Sequence, residues 1–185
     1  YDTSEVANIL LKKYNQIILS GPPGTSKSFI ANSISSSYKK ENVVKIQFHP
    51  TYSYRNFIGG YIVQGKDVKW EEGILFQLVK LATDNKKENY LIVIEELNRA
   101  NVGQVFGETI QSLDRDNHTY IKKEEDLVKF KIPTNLKIIA TMNTADRSIG
   151  VVDFAIKRRF ISIYTPPNPD LLDDLCQTNF NFSLG

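Results

Sequence analysis

Apolar positions along this chain alternate between short continuous runs and stretches of helical period. Val6, Ile9, Leu10 and Lys13 recur at helical spacing, and Ser4 stands where a helix cap belongs. Gln16-Ile17-Ile18-Leu19-Ser20 is a compact apolar run that stops at Gly21, which predicts a buried strand. Phe29, Ile30, Ile34 and Tyr38 predict a helix starting near Lys27, and 43–48 a second strand. An aromatic stretch leads to Tyr61-Ile62-Val63 and Val68-Lys69-Trp70, which flank Gln64-Gly65-Lys66-Asp67 as a hairpin would.

Ile74, Leu75, Leu78, Val79 and Ala82 predict another helix, and 90–94, the most apolar run of all, a third strand ending in Glu95-Glu96. Val102, Val105, Phe106, Thr109, Ile110 and Leu113 predict one amphipathic helix. Val128, Phe130 and Ile132 alternate with lysines, as one arm of a second hairpin does. Strands at 136–142 and 160–164, with a short helix at 152–157 between them, complete the pattern. Pro166, Pro167 and Pro169 mark an exit linker, and the tail from Asp170 is weakly patterned.

Apolar strands alternating with amphipathic helices predict an α/β fold: a mainly parallel sheet covered on both faces, with inserted β-hairpins. In such sheets ligands bind at the carboxyl ends of the strands. The polar clusters fall there. GPPGTSKS (21–28) follows the first strand, Glu95-Glu96 ends the third, and Asn143 follows the fourth, within TMNTADRS.

The octamer departs from the phosphate-gripping pattern G-x-x-x-x-G-K-[ST] at one place, Ser26 for glycine. Alone it is ambiguous, since a Gly/Pro-rich turn between strand and helix looks similar. Joined to the other two clusters, it predicts a nucleotide site. Gly21, Pro22, Pro23, Gly24, Thr25, Ser26, Lys27, Ser28 and Phe29 form the binding segment, with free backbone N–H groups at the helix start. Lys27 supplies charge to the outer phosphates and Ser28 a hydroxyl for Mg²⁺. Ser26 is tolerable if it keeps ordinary helical dihedrals and costly if it must take positive φ.

Glu95 is placed to hold the Mg²⁺ shell through water, and Glu96 to polarise the water that attacks the γ-phosphate. The ordinary alternative is two solvated acids at a strand end. Asn143 can orient that water, or merely shape a turn. Asp146, Arg147 and Asp153 suit ties to a neighbouring subunit or to one another. Arg158 and Arg159 suit the basic end of a short helix, or an arginine finger reaching the nucleotide of the next subunit.

Composition narrows the field little. The 185 residues are 41% hydrophobic and 24% charged, with a formal net charge of +2, too small to argue for nucleic acid or membrane. No apolar run reaches membrane-span length, and no signal peptide is seen. A single cysteine, Cys176, excludes an internal disulfide and suits a reducing cytoplasm. The start at Tyr1-Asp2, without Met, suggests a domain of something longer.

Longer segments carry a family resemblance. MNTADRSIGVVDFAIKRRF (142–160) resembles the signature of the McrB-type AAA+ GTPases of methylcytosine-dependent restriction systems. IVIEELNRANVGQVFGETI (92–110) resembles their second nucleotide motif, and IQFHPTYSYRNFIGGY (46–61) the segment after their second strand. The resemblance covers roughly residues 17 to 164 and implies a P-loop NTPase core of the AAA+ kind, five strands in order 5-1-4-3-2. By this reading residues 1–169 are the nucleotide-binding domain and 170–185 the start of a truncated or missing helical lid. It further implies GTP in place of ATP, Mg²⁺, a hexameric ring, and an McrC-type endonuclease partner. DNA would be met through a separate domain and through that partner.

Position by position, Lys27 and Ser28 match the family's phosphate and metal residues, Glu95 and Glu96 its acidic pair, and Asn143 its signature Asn. Arg158 is the first choice for the trans-acting arginine and Arg159 the second. Ser26 for Gly and Glu95 for Asp are departures that bear on affinity and turnover. Three other readings stand beside this one: an ATP-using MoxR-like remodelling enzyme, a nucleotide-gated scaffold with little hydrolysis, and a DNA-binding module stacking bases on Phe48, Tyr52, Tyr54 and Phe57.

Overall fold

A computed structural model describes residues 2–145 and 152–167. Asp146 and Arg147, the end of the exit linker and the segment from 170 onward lie outside these described residues. In chain order the elements are α1 (Thr3–Tyr14), β1 (Gln16–Gly21), α2 (Lys27–Ser35), β2 (Val43–Gln47), α3 (Tyr54–Phe57), β3 (Gly59–Gln64), β4 (Asp67–Glu72) and α4 (Ile74–Asp84). They continue with β5 (Tyr90–Glu95), α5 (Val102–Phe106), β6 (Thr119–Lys123), β7 (Asp126–Phe130), β8 (Leu136–Asn143), α6 (Phe154–Lys157) and β9 (Ile161–Tyr164).

Five strands form one parallel sheet in the order β2-β5-β8-β1-β9. Numbered among themselves, these strands stand 5-1-4-3-2 from the β9 edge, the order that the resemblance implies. Two hairpins stand apart from this sheet, β3-β4 and β6-β7. Lys123 bridges them with an ion pair to Glu72 at 3.0 Å, and the Tyr61 hydroxyl donates to the Glu124 carbonyl at 3.3 Å.

Why the central strands are continuous apolar runs follows from burial on both faces. Successive side chains alternate. Ile17, Leu19, Leu91, Val93 and Ile139 therefore pack with Ala7, Leu11, Ile30 and Ile34 of α1 and α2. Their neighbours Ile18, Ile92, Ile94, Ile138 and Ala140 pack the other way, against α4, α5 and the aromatic segment. Phe48 and Phe57 are fully buried, with ring centroids 5.6 Å apart, and Phe106 lies 4.9 Å from Phe57. Those aromatics are core, which takes away the base-stacking face that a DNA-binding module needs.

Two expectations about the helices are corrected. Asp2, not Ser4, caps α1: its carboxylate accepts the Ser4 N–H at 3.1 Å. The amphipathic stretch from Val102 is not one α-helix. It breaks at Gly107 (φ 52°, ψ −136°) and runs on as 3₁₀ turns over Gly107–Leu113. Apolar spacing persists across the break because both turn types keep i, i+3 neighbours on one side.

At the amino-terminal edge of the sheet a buried polar network joins four segments. Gln16, almost wholly buried, donates through Nε2 to the carbonyls of Leu113 and Arg159 at 2.8 and 2.6 Å. Arg115 donates to Gln16 Oε1 and to the carbonyls of Pro133 and Leu136, each at 2.9 Å. Burial pulls its pKa below the usual arginine value. These acceptors satisfy the guanidinium without a carboxylate. Its removal orphans several buried carbonyls, and lysine cannot reproduce the fork. Arg115→Ala and Arg115→Lys should each destabilise the fold by about 2–4 kcal/mol, read as a shifted urea midpoint. A change below about 0.5 kcal/mol contradicts the hub role.

Candidate functional site

Lys27, Ser28, Glu96, Thr141 and Asn143 converge on a cavity of about 390 Å³ at the carboxyl edge of the sheet, with Pro23 to Phe29 as its other wall. Parallel pairing is what brings them together. β1 and β8 run in register from Gln16 opposite Ile138 to Gly21 opposite Asn143. The Thr144 N–H closes the pair by donating to the Gly21 carbonyl at 3.1 Å. Gly21 permits no side chain here, since a Cβ would lie 2.3 Å from the Thr165 carbonyl oxygen.

The loop after β1 turns at Gly24 (φ 76°), whose missing side chain leaves open space toward the cavity. Lys27 begins α2 and folds its ammonium over the loop. It donates to the carbonyls of Gly21 and Pro22 at 2.9 and 2.5 Å and to Thr25 Oγ1 at 3.1 Å. Burial lowers its pKa, and the Glu96 charge partly offsets that. All three partners are neutral, so a phosphate oxygen can exchange for them with a gain in charge-assisted bonding. Ser28 and Phe29 are exposed on the first turn, Phe29 at 72%. Phe29 is therefore a rim residue of the cavity and no part of the core.

Ser26 takes the costly option. Its backbone is left-handed (φ 60°, ψ 12°), and its side chain makes no capping hydrogen bond. The hope that ordinary helical dihedrals make serine harmless here is thus corrected. Glycine reaches this conformation freely, whereas a Cβ there costs about 1–2 kcal/mol.

Glu96 is also left-handed (φ 58°, ψ 44°). Strand β5 ends at Glu95, and the reversal at Glu96 swings the second carboxylate into the cavity. The Glu96 N–H donates to Thr141 Oγ1 at 3.2 Å, and its carboxylate lies 3.7 Å from Arg99 Nε. That pair is half exposed and weak, a restraint more than an anchor. Glu95 is half-buried and does not line the cavity.

Asn143 accepts the Ala145 N–H through Oδ1 at 3.1 Å, a local turn that holds the amide at the end of β8. Its carbonyl accepts from Asn98 Nδ2 at 2.9 Å. Asn98 is 93% buried, its relative exposure being 7%, and its Oδ1 has no partner among the described residues. Asn98 and Thr141 are site residues that the sequence reading missed. Both sit one or two positions from a recognised acid or amide, within IVIEELN and TMN, and strand-edge proximity is the signal that would have found them.

The arginines part company. Arg159 is largely buried, its Nε 2.9 Å from Asp114 Oδ2 and its Nη1 2.7 Å from the Ala155 carbonyl. Its role as second choice for a finger is corrected: the ion pair to Asp114 engages it within its own chain. Arg158 is exposed and outside the cavity lining. Asp153 caps α6 through the Ala155 N–H at 3.1 Å.

Whether Mg²⁺ fits can be read from the donor set. Among the described residues no three His, Cys, Asp or Glu side chains cluster as a metal cage. Mg²⁺ bound with phosphates keeps most of its water and needs only one or two protein oxygens. The Ser28 hydroxyl on the cavity supplies one such oxygen.

Comparison with known proteins agrees with this geometry. The model of the AAA domain, dynein-related subfamily, matches residues 16–160. The chain belongs to that family. It is 37% identical over 166 residues to the type IV methyl-directed restriction enzyme EcoKMcrB subunit of Escherichia coli K12, covering 83% of this chain and 36% of that protein. It is 28% identical over 189 residues to the type II restriction enzyme BsuMI component YdiS of Bacillus subtilis 168, covering 77% of this chain and 54% of that one. The chain thus spans between a third and about half of these relatives. A crystal structure from Cytophaga hutchinsonii, of a protein classed provisionally as an ATPase, shares the fold with TM-score 0.58 at 19% identity, over 97% of this chain and 52% of that one. The McrB-type resemblance and the P-loop AAA+ core are therefore sound.

The strain at Ser26 generates a direct prediction. Ser26→Gly should raise stability by about 0.5–1 kcal/mol, the relief of the left-handed serine less glycine's own entropy cost. It should also bind triphosphate more tightly. Ser26→Val should lower both. Thermal midpoints with and without nucleotide check this, and equal midpoints for the glycine and serine proteins contradict it.

Proposed function

We propose that this domain binds and hydrolyses a nucleoside triphosphate as the motor of a modification-dependent DNA restriction complex. The observation that carries the reading is the single cavity into which Lys27, Ser28, Glu96 and Asn143 all open. In this reading backbone N–H groups of 24–28 grip the phosphates at the start of α2. Lys27 exchanges its loop carbonyls for phosphate oxygens, and Ser28 holds Mg²⁺, with Glu95 behind it acting through water. Mg²⁺ held there would supply neutralisation of the negative charge on the outer phosphates. Glu96 accepts a proton from the attacking water, and the Asn143 amide orients that water.

GTP is the proposed substrate, on the strength of the EcoKMcrB likeness, with ATP the alternative. The same likeness supports a hexameric ring, in which Arg158 would reach the nucleotide of the next subunit while Asp146 and Arg147 help tie the motif to that neighbour. It also supports an McrC-type endonuclease partner activated by hydrolysis, DNA translocation, and a cytoplasmic setting. No helix among the described residues is long and apolar enough to cross a membrane.

One specific observation favours a second reading, a scaffold that binds but barely turns over. Ser26 is strained where the grip should be tightest, and Glu95 stands outside the cavity lining. Glu96→Gln separates the two. In the full-length protein with its nuclease partner, this variant should lose about 10²-fold or more of turnover while keeping nucleotide affinity. Equal turnover in wild type and variant favours the scaffold.

Arg158→Ala should also lose turnover, and mixing it with Glu96→Gln protein should restore a fraction of it. Such rescue is possible only if each site borrows from a neighbour. A preference for ATP over GTP in the same assay overturns the GTP assignment alone.

A further inference from the structure

A second cavity, of about 490 Å³, opens at the opposite, amino-terminal edge of the sheet. Lys12, Lys39, Lys87 and Lys137 line it from four separate segments, against one acid, Glu88. Lys12 lies in the last turn of α1, Lys39 follows α2, Lys87 precedes β5, and Lys137 begins β8. We propose that this cavity is an anion site, taking a small molecule that carries one or more phosphate groups.

Local pairing leaves the charge in excess. Glu88 is engaged by Lys39 at 2.6 Å and by Asn42 Nδ2 at 3.3 Å. Lys137 is half-buried, and its partners among the described residues are neutral oxygens, Asn15 Oδ1 and the Lys12 carbonyl. Burial first, and the nearby Arg115 charge second, hold its ammonium below the usual lysine value. A bound anion would relieve that cost. The half-buried Tyr38 also lines the cavity, and its hydroxyl has no hydrogen-bond partner among the described residues.

Shape selects the class of ligand. The volume falls in the range of small-molecule sites. A surface that tracks nucleic acid spreads its charge along a face or stripe, and this chain carries a formal net charge of only +2. The cavity is distinct from the site that holds Lys27. Strand β8 alone runs from Lys137 to Asn143, about 20 Å of extended backbone.

Inorganic pyrophosphate is the probe. Calorimetric titration of the full-length Lys27→Ala protein, at near-physiological salt, weakens the first site by taking away its lysine and leaves the second unchanged, so the lysine variants below assign what still binds. One molar equivalent should still bind. Lys12→Gln with Lys87→Gln, both exposed and cheap to replace, should weaken that binding about tenfold or more. Lys137→Met should do the same, and circular dichroism separates a folded variant from a collapsed one.

No binding in the Lys27→Ala background overturns the proposal. So does binding that is indifferent to the exposed lysine pair. Affinity for a DNA duplex that depends on these lysines, with none for pyrophosphate, overturns the small-molecule assignment in favour of a backbone contact.

Discussion

The parallel register of β1 against β8 is the constraint on which the site depends. It sets Gly21 opposite Asn143, so the start of the phosphate loop and the end of the amide-bearing strand meet at one height. β5 pairs β8 on its other side, with Ile94 opposite Ala140, which brings Glu96 to the same edge. A slip of one residue would invert the facing of every side chain on β8. Both faces are buried, so such a slip would also exchange Ile138 and Ala140 with Ile139 between two differently shaped cores. Register is therefore held by packing on two sides, and the geometry of the candidate site inherits that rigidity.

Held on this edge, the backbone does what side chains alone could not. Four non-glycine residues among those described have positive φ, and two of them, Ser26 and Glu96, line the cavity. Strain kept at such positions persists because the surroundings over-determine it. For Glu96 the left-handed turn is productive. It aims the carboxylate across the cavity at the loop, and the Glu96 N–H finds Thr141. For Ser26 the same conformation is forced by the turn into α2, and the side chain contributes no compensating bond. One outlier serves the site and the other is a cost that glycine would not incur.

Most of the fold was legible because the signals were strong and local. The three central strands of the sheet are apolar runs and its two edge strands are partly polar, yet each of the five appears within a residue or two of its expected place. The β3-β4 hairpin follows its Gly65-Lys66 turn. What stayed hidden depends on tertiary context. Nothing in GPPGTSKS says that residue 26 must be left-handed, because only the closed turn imposes it. Two adjacent arginines look equivalent until Asp114, distant in sequence, takes Arg159. The break at Gly107 was concealed by apolar spacing that a 3₁₀ turn nearly preserves. Asn98 was passed over because its task is to support another residue's backbone, and that leaves no motif.

The two edges of the sheet are electrostatically unlike, and the reason lies in how buried polar groups are satisfied. At the carboxyl edge, Lys27 and Glu96 face one cavity, and their charges partly offset. At the amino edge, Arg115 meets no carboxylate among the described residues and relies on carbonyls of Pro133 and Leu136 and on Gln16. Strand starts present carbonyl-rich turns there, so a buried cation is tolerated where a buried carboxylate would find few donors. Adding Lys137 beside that guanidinium raises the local positive potential further, a burden that folding alone does not require. An anion entering the cavity beside Lys137 would share that charge.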